Sequence, residues 1–167
     1  MSHPPHDDGH PTLDGRQATR VGVSAGLREV AEFAASRVAT TSDEHAAPGD
    51  WIDYGRRLRN MTMEILFRCV TMERMNGTPW PVIADRLRMG EEEVRHQFGH
   101  ADLCEHAAGP GQAVWDILGK TCINPIPGGC APTPETAAAE LDDWYRRWNQ
   151  PDDHPTDAPE RAVSAHL

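Results

Sequence analysis

The chain has 167 residues, of which 38% are hydrophobic, with a mean hydropathy of -0.61 and a formal net charge of -10. That length supports one domain with a core and excludes two large ones, while the low hydropathy requires part of the chain to be solvated. No apolar run reaches bilayer-spanning length, and the polar start MSHPPHDDGH lacks the basic and apolar regions of a secretion signal, so a cytoplasmic location is expected.

Residues 1–20 are rich in His, Pro, Asp and Gly without apolar periodicity, and are expected to form a disordered arm. His3, His6 and His10 are potential metal ligands, but nothing there fixes a coordination geometry, so a solvated tail is the expectation. A first helix is predicted from Ser24 to Thr40, with Leu27, Val30, Ala31, Ala34 and Val38 on one face and Ser24 as its N-cap. Thr41 to Gly49 reads as a loop.

Asp50 opens the strongest helical pattern. Trp51, Tyr54, Leu58, Met61, Ile65, Cys69 and Met72 step by three or four, and Ile52, Met63, Leu66 and Val70 widen the stripe. A stripe that broad implies burial against more than one neighbour. Asn76-Gly77 supplies residues that tolerate a left-handed backbone at the helix end. After Gly99, a short helix is expected from Gly111 to Leu118, stopped by Gly119. Residues 124–132 (NPIPGGCAP) must be a turn or loop. Thr133-Pro134 opens a last helix, with Ala137, Leu141, Trp144, Tyr145 and Trp148 as its apolar face. Residues 151–167 are Pro-rich and acidic, and read as a disordered tail. No internal repeat and no useful strand alternation is present. The expected fold is all-α: a helical domain over 21–150, containing a helix-turn-helix over 77–99.

That unit reads GTPWPVIADRLRMGEEEVRHQFG. A helix-turn-helix needs a first short helix with an apolar face and one small residue where the second helix crosses. Val82, Ile83 and Leu87 supply the face, and Ala84 the small residue. Met89 fits the buried turn position, Gly90 the N-cap of the second helix, and Val94 and Phe98 its inward face. Trp80 is placed to cover the bottom of this core. Charge is unevenly distributed: residues 51–99 carry eight arginines and seven carboxylates, a local balance of +1, and the acidic excess lies elsewhere. The -10 overall therefore does not by itself exclude a local anionic partner.

GTPW, IADRL and EVRHQFG together resemble the small helix-turn-helix proteins common in actinobacteria, and are similar in layout to the DNA-binding end of sigma factors. The resemblance covers about residues 51–99. It implies a DNA-binding protein, expected to regulate transcription, with the second short helix in the major groove. Arg86, Arg88, Glu92, Arg95 and His96 are the candidate DNA-binding residues. Arg95 suits bidentate contacts to guanine or phosphate, and Arg86 and Arg88 the backbone. A homodimer is the expected assembly on double-stranded DNA, with the first helix or the Trp144/Trp148 helix as its contact. Two positions depart from the pattern: Arg88 and Gly90 stand where Gly and Ser are usual, and the second helix begins Glu91-Glu92-Glu93. Carboxylates repel phosphate but favour a helix N-terminus. They motivate an alternative, an acidic protein-interaction module that keeps the fold without DNA and binds a sigma factor or another regulator.

His96, His100 and Cys104 are spaced by four, and Cys122 and Cys130 follow. Such a set can form a zinc site, while Cys122 and Cys130 can also pair as a redox switch, so a metal- or thiol-responsive sensor is a further alternative. Packed cysteines and satisfied histidines are the plain reading, and no cofactor is expected. Cys69 in the apolar stripe reads as a buried small hydrophobe. With no phosphate-binding Gly-rich loop followed by Lys and no nucleophile elbow, the chain is not expected to be an enzyme.

Overall fold

The computed structural model describes residues 12–38, 47–102, 110–119, 131–148 and 163–167. Among them the chain is all-α, with helices α1 (Gly15–Ala35), α2 (Asp50–Met75), α3 (Trp80–Leu87), α4 (Glu91–Phe98), α5 (Gly111–Ile117) and α6 (Pro134–Trp148), and a closing 3-10 turn at Ser164–His166. α1 lies along α2 and also meets α5 and α6, while α3 and α4 pack on each other and on α2.

The first helix starts at Gly15, ahead of the expected Ser24. Asp14 accepts from the Gln17 backbone N–H at 2.9 Å, and the Gln17 side chain accepts from the Asp14 N–H at 2.9 Å. This reciprocal box satisfies two helix-end donors, so residues 12–20 belong to the fold and not to a disordered arm. The predicted face is also wrong: Leu27 is 53% exposed and Val38 66%. The buried stripe consists of Gly15, Ala18, Thr19, Val21, Gly22, Ala25, Gly26, Glu29 and Phe33. Small residues at a contact let two helix axes come close, and α1 meets its neighbours through that stripe. Thr19 Oγ1 donates to the Gly15 carbonyl at 2.8 Å and lies 3.0 Å from Met75 Sδ on α2.

α2 begins at Asp50 as expected, but its N-cap is Gly49, at φ 100°, and the Asp50 carboxylate instead accepts from the Ala47 N–H at 2.9 Å. Its first half is open to solvent, with Trp51 60% and Ile52 77% exposed. Burial begins at Met61 and continues through Ile65, Arg68, Val70, Thr71 and Met75. Val70, with Leu66 and Phe67 beside it, joins Trp80, Ile83, Ala84, Val94, Phe98 and Ala101 in one core. Met75 joins Val114 and Leu118 in another, which Phe67 also touches. α2 thus serves two clusters through its second half, whereas Ile52 and Met63, expected to widen the buried stripe, are exposed.

A third cluster holds Leu13, Val21, Trp115, Ala137, Ala138 and Leu141. Trp115 is fully buried, and its indole N–H donates to the Ala131 carbonyl at 3.1 Å. α5 and α6 appear where predicted: Gly119 turns left-handed (φ 68°) after α5, and Thr133 Oγ1 caps α6 by accepting from the Thr136 N–H at 3.1 Å. On α6, Ala137 and Leu141 are buried, but Trp148 faces solvent. The tail expectation is corrected at its end. Val163 and Leu167 pack on the third cluster, and the buried Asp142 carboxylate accepts from the Val163 and Ser164 N–H groups at 2.7 and 3.0 Å. The disorder expected for residues 1–11 and 151–162 concerns segments outside the described residues.

Candidate functional site

α3, a turn at 88–90, and α4 form the helix-turn-helix unit. Its core matches the residues named from sequence: Ile83 and Ala84 are buried on α3, Val94 and Phe98 on α4, and Trp80 beneath them. Leu87 and Met89 pack at its margin. Val82 does not belong to it, being 46% exposed. Gly90 is the N-cap of α4 with extended backbone, as expected.

The turn geometry is set by how α3 ends. The Met89 N–H bonds to the Ala84 carbonyl and the Arg88 N–H to the Asp85 carbonyl, both at 3.1 Å, with Arg88 left-handed at φ 55°. α2 ends in the same way. There the Thr78 N–H bonds to the Glu73 carbonyl and the Gly77 N–H to the Arg74 carbonyl, both at 2.9 Å, with Gly77 at φ 84°. This closure favours glycine at its left-handed position. α2 has the glycine; α3 carries an arginine there, which faces solvent.

The outer face of α4 is polar. Glu91, Glu92, Glu93, Arg95, His96 and Gln97 are all exposed, as are Arg86 and Arg88 on the α3 side. All five candidate DNA-binding residues are therefore exposed, and Glu92, Arg95 and His96 share one face of α4 by their spacing. Arg95 is not an extended side chain. Glu91 Oε1 accepts from its Nε at 3.0 Å and its Nη2 at 2.8 Å, and its guanidinium lies 5.6 Å from the centre of the Trp80 ring. Arg74 approaches the same ring at 4.9 Å. It is fixed by Asp102 Oδ1 at 3.1 Å and by the Thr78 carbonyl at 2.9 Å. Trp80 thus seats two cations, and its indole N–H has no hydrogen-bond partner among the described residues. Sequence reasoning missed Glu91, Trp80 and Arg74 as determinants of this surface. The Glu91/Arg95 spacing of four was the signal available.

Of the candidate metal set, only His96 and His100 lie among the described residues. α4 ends at Phe98, and residues 99–100 form a turn, so His96 and His100 do not share one helix face. His96 is exposed on α4, whereas the His100 ring lies edge-on to Phe67 at 6.1 Å. His100 and Phe67 border an open groove of about 520 Å³ between α2, α4 and α5, which Met63, Phe98 and Ile117 also line. Cys104, Cys122 and Cys130 lie outside the described residues. Among the described residues, no three His, Cys, Asp or Glu side chains gather as a metal site. Cys69 is half-buried in α2, and burial, reinforced by the charge of Glu73, pushes its thiol pKa up. Among the described residues, no helix is long and apolar enough to cross a membrane. Compared with family models, curated proteins and solved structures, the chain matches none.

Proposed function

We propose that the chain is a helix-turn-helix DNA-binding protein that regulates transcription, with α4 entering the major groove of double-stranded DNA. One observation carries this reading. A short, well-cored helix pair leaves Arg86, Arg88, Glu92, Arg95 and His96 exposed, with Glu92, Arg95 and His96 on one face of α4 by their spacing and no apolar side chain of α4 left outside. Such an arrangement suits a groove edge, where arginine reaches guanine or phosphate and a carboxylate accepts from cytosine. Two copies reading a repeated site would fit the two-fold habit of this motif. Selection from a pool of randomised duplex near physiological salt tests the reading. Enrichment of a defined sequence, lost in folded Arg95→Ala protein, is the expected result. Sequence selection that survives Arg95→Ala removes Arg95 from its role.

A specific observation favours a second reading. The first turn of α4 is Glu91, Glu92 and Glu93, all exposed, and one of them already occupies Arg95. An acidic surface of this kind would suit a basic protein partner such as a sigma factor or another regulator. It predicts that charge reversal at Glu91, Glu92 and Glu93 abolishes capture of that partner, while randomised duplex gives no enrichment and no retention even at low salt.

A further inference from the structure

Glu91 stands in the way of the residue best placed to grip DNA. Its Oε1 accepts from both Nε and Nη2 of Arg95, the paired edge of the guanidinium that would otherwise meet two acceptors on a phosphate or a guanine. The acid lies one helical turn to the N-terminal side of the base, which is the favourable order for such a pair. The seat has a second wall. Trp80 is 3% exposed, belongs to the core, and presents its ring to Arg95 at 5.6 Å. On the same ring lies Arg74, itself held by Asp102 and the Thr78 carbonyl. Glu92 and Glu93, equally exposed, hold no cation among the described residues.

We propose that Glu91 is an intramolecular competitor for Arg95 that sets how tightly the helix-turn-helix binds DNA. This inference rests on the DNA-binding reading above. In the unbound protein the Arg95 fork is satisfied by Glu91. A DNA acceptor that takes the Nε and Nη2 edge must displace that carboxylate, which then faces the anionic duplex. Binding is thereby weakened for any duplex that does not offer Arg95 a well-placed pair of acceptors.

The test compares Glu91→Gln with Glu93→Gln in the full chain. Each removes one negative charge from the first turn of α4, so the general attraction to DNA and the loss at the helix end are matched. Only the first releases Arg95. Retention on random-sequence duplex at low salt is expected to be tighter for Glu91→Gln than for Glu93→Gln by roughly two- to fivefold, the worth of an exposed ion pair. The difference should disappear when both carry Arg95→Ala. If the released fork meets phosphate, the dependence of log affinity on log salt steepens by about 0.9. If it meets guanine, that slope stays fixed and the gain is larger on the selected sequence than on random duplex. Equal tightening by the two variants overturns the proposal. So does an Arg95 Nε–H resonance that Glu91→Gln leaves unmoved in the free protein, a readout that needs no DNA. Absence of DNA retention in every variant, with the resonance shifted, overturns the DNA-binding reading and leaves the Glu91–Arg95 contact standing.

Discussion

Arg68 reaches from α2 into α1, where its Nη1 donates to the carbonyl oxygen of Gly22 at 3.3 Å. Only 3% of Arg68 is exposed. Burial lowers its pKa, and the charges of Glu29 and Glu64 work against that loss. Glu29, on the buried stripe of α1, is itself 7% exposed. A buried charge is tolerated when paired, and removing one partner costs more than the pair contributes. Arg68→Ala should therefore destabilise the fold by about 3 kcal/mol in urea unfolding. The double variant with Glu29→Gln should lose less than the two single losses summed, because the charge of Glu29 acts on Arg68. Additive losses in the double variant would show that Glu29 and Arg68 act independently.

Two glycines should respond to alanine in opposite directions. A Cβ on Gly111 would sit 2.4 Å from the Leu13 carbonyl oxygen and 2.9 Å from that of Asp14. Both are backbone atoms, and the Gly111 N–H bonds to the same Leu13 carbonyl at 3.0 Å. Gly111→Ala is expected to lower stability by about 1–3 kcal/mol, the cost of forcing packed backbone apart. Gly55 in α2 has nothing within 4 Å of its Cβ position. Gly55→Ala should raise stability by roughly 0.5–1 kcal/mol through helix propensity alone. Thermal unfolding of the two variants checks both signs.

The turn between α3 and α4 sets stability against binding. Arg88 holds a left-handed backbone that costs a side-chain-bearing residue about 1 kcal/mol or more. Arg88→Gly relieves that strain at some entropic cost, for a net gain on the order of 0.5 kcal/mol. If Arg88 meets phosphate, the same variant should bind duplex more weakly, with a salt slope shallower by about 0.9. A loss of stability would show that the arginine side chain is held by the fold and is not tolerated at the expense of strain.

Cys69 should be a slow thiol. Its pKa is raised from the ordinary 9.0, first by burial and then by Glu73. The thiolate is the reactive form, so at mildly alkaline pH its alkylation in the native protein should lag well behind that in the denatured chain, followed at the Cys69 peptide. The sign for stability follows from the same direction. A native pKa above the unfolded one contributes stability that is present below the unfolded value and is lost as pH rises through the native value. Cys69→Ser should flatten the alkaline fall in stability. Equal alkylation rates in the native and denatured chains would contradict this burial.

The helix-turn-helix core was legible because its residues are large, apolar and closely spaced. Ile83, Ala84, Val94 and Phe98 could be read from the motif alone, and the cap at Gly90 follows from the same short segment. α1 was misread for the opposite reason. Its buried stripe is mostly Gly, Ala and Thr, whose burial depends on a neighbour 46 residues away such as Arg68 at Gly22, while its larger Leu27 and Val38 face outward. Periodicity weighs size and hydropathy, and has no means of registering a helix that packs by being thin. The return of Val163 and Leu167 to the third cluster was equally hidden, since it hangs on Asp142, an acid that reads as solvent-exposed in sequence. At the candidate site, the residue types on the surface were readable. The state of Arg95 was not, because it depends on the ring of Trp80 as much as on its neighbour at spacing four.

The core beneath α3 and α4 is completed by Val70, Leu66 and Phe67, all contributed by α2. The motif is thus not a transplantable cassette. A fragment cut at Gly77 would carry Trp80 and Phe98 with one wall of their pocket missing, whereas a fragment beginning at Met61, where α2 first becomes buried, takes that wall along. For grafting or for isolating the helix-turn-helix, the natural unit has three helices and runs from the buried half of α2 through Ala101.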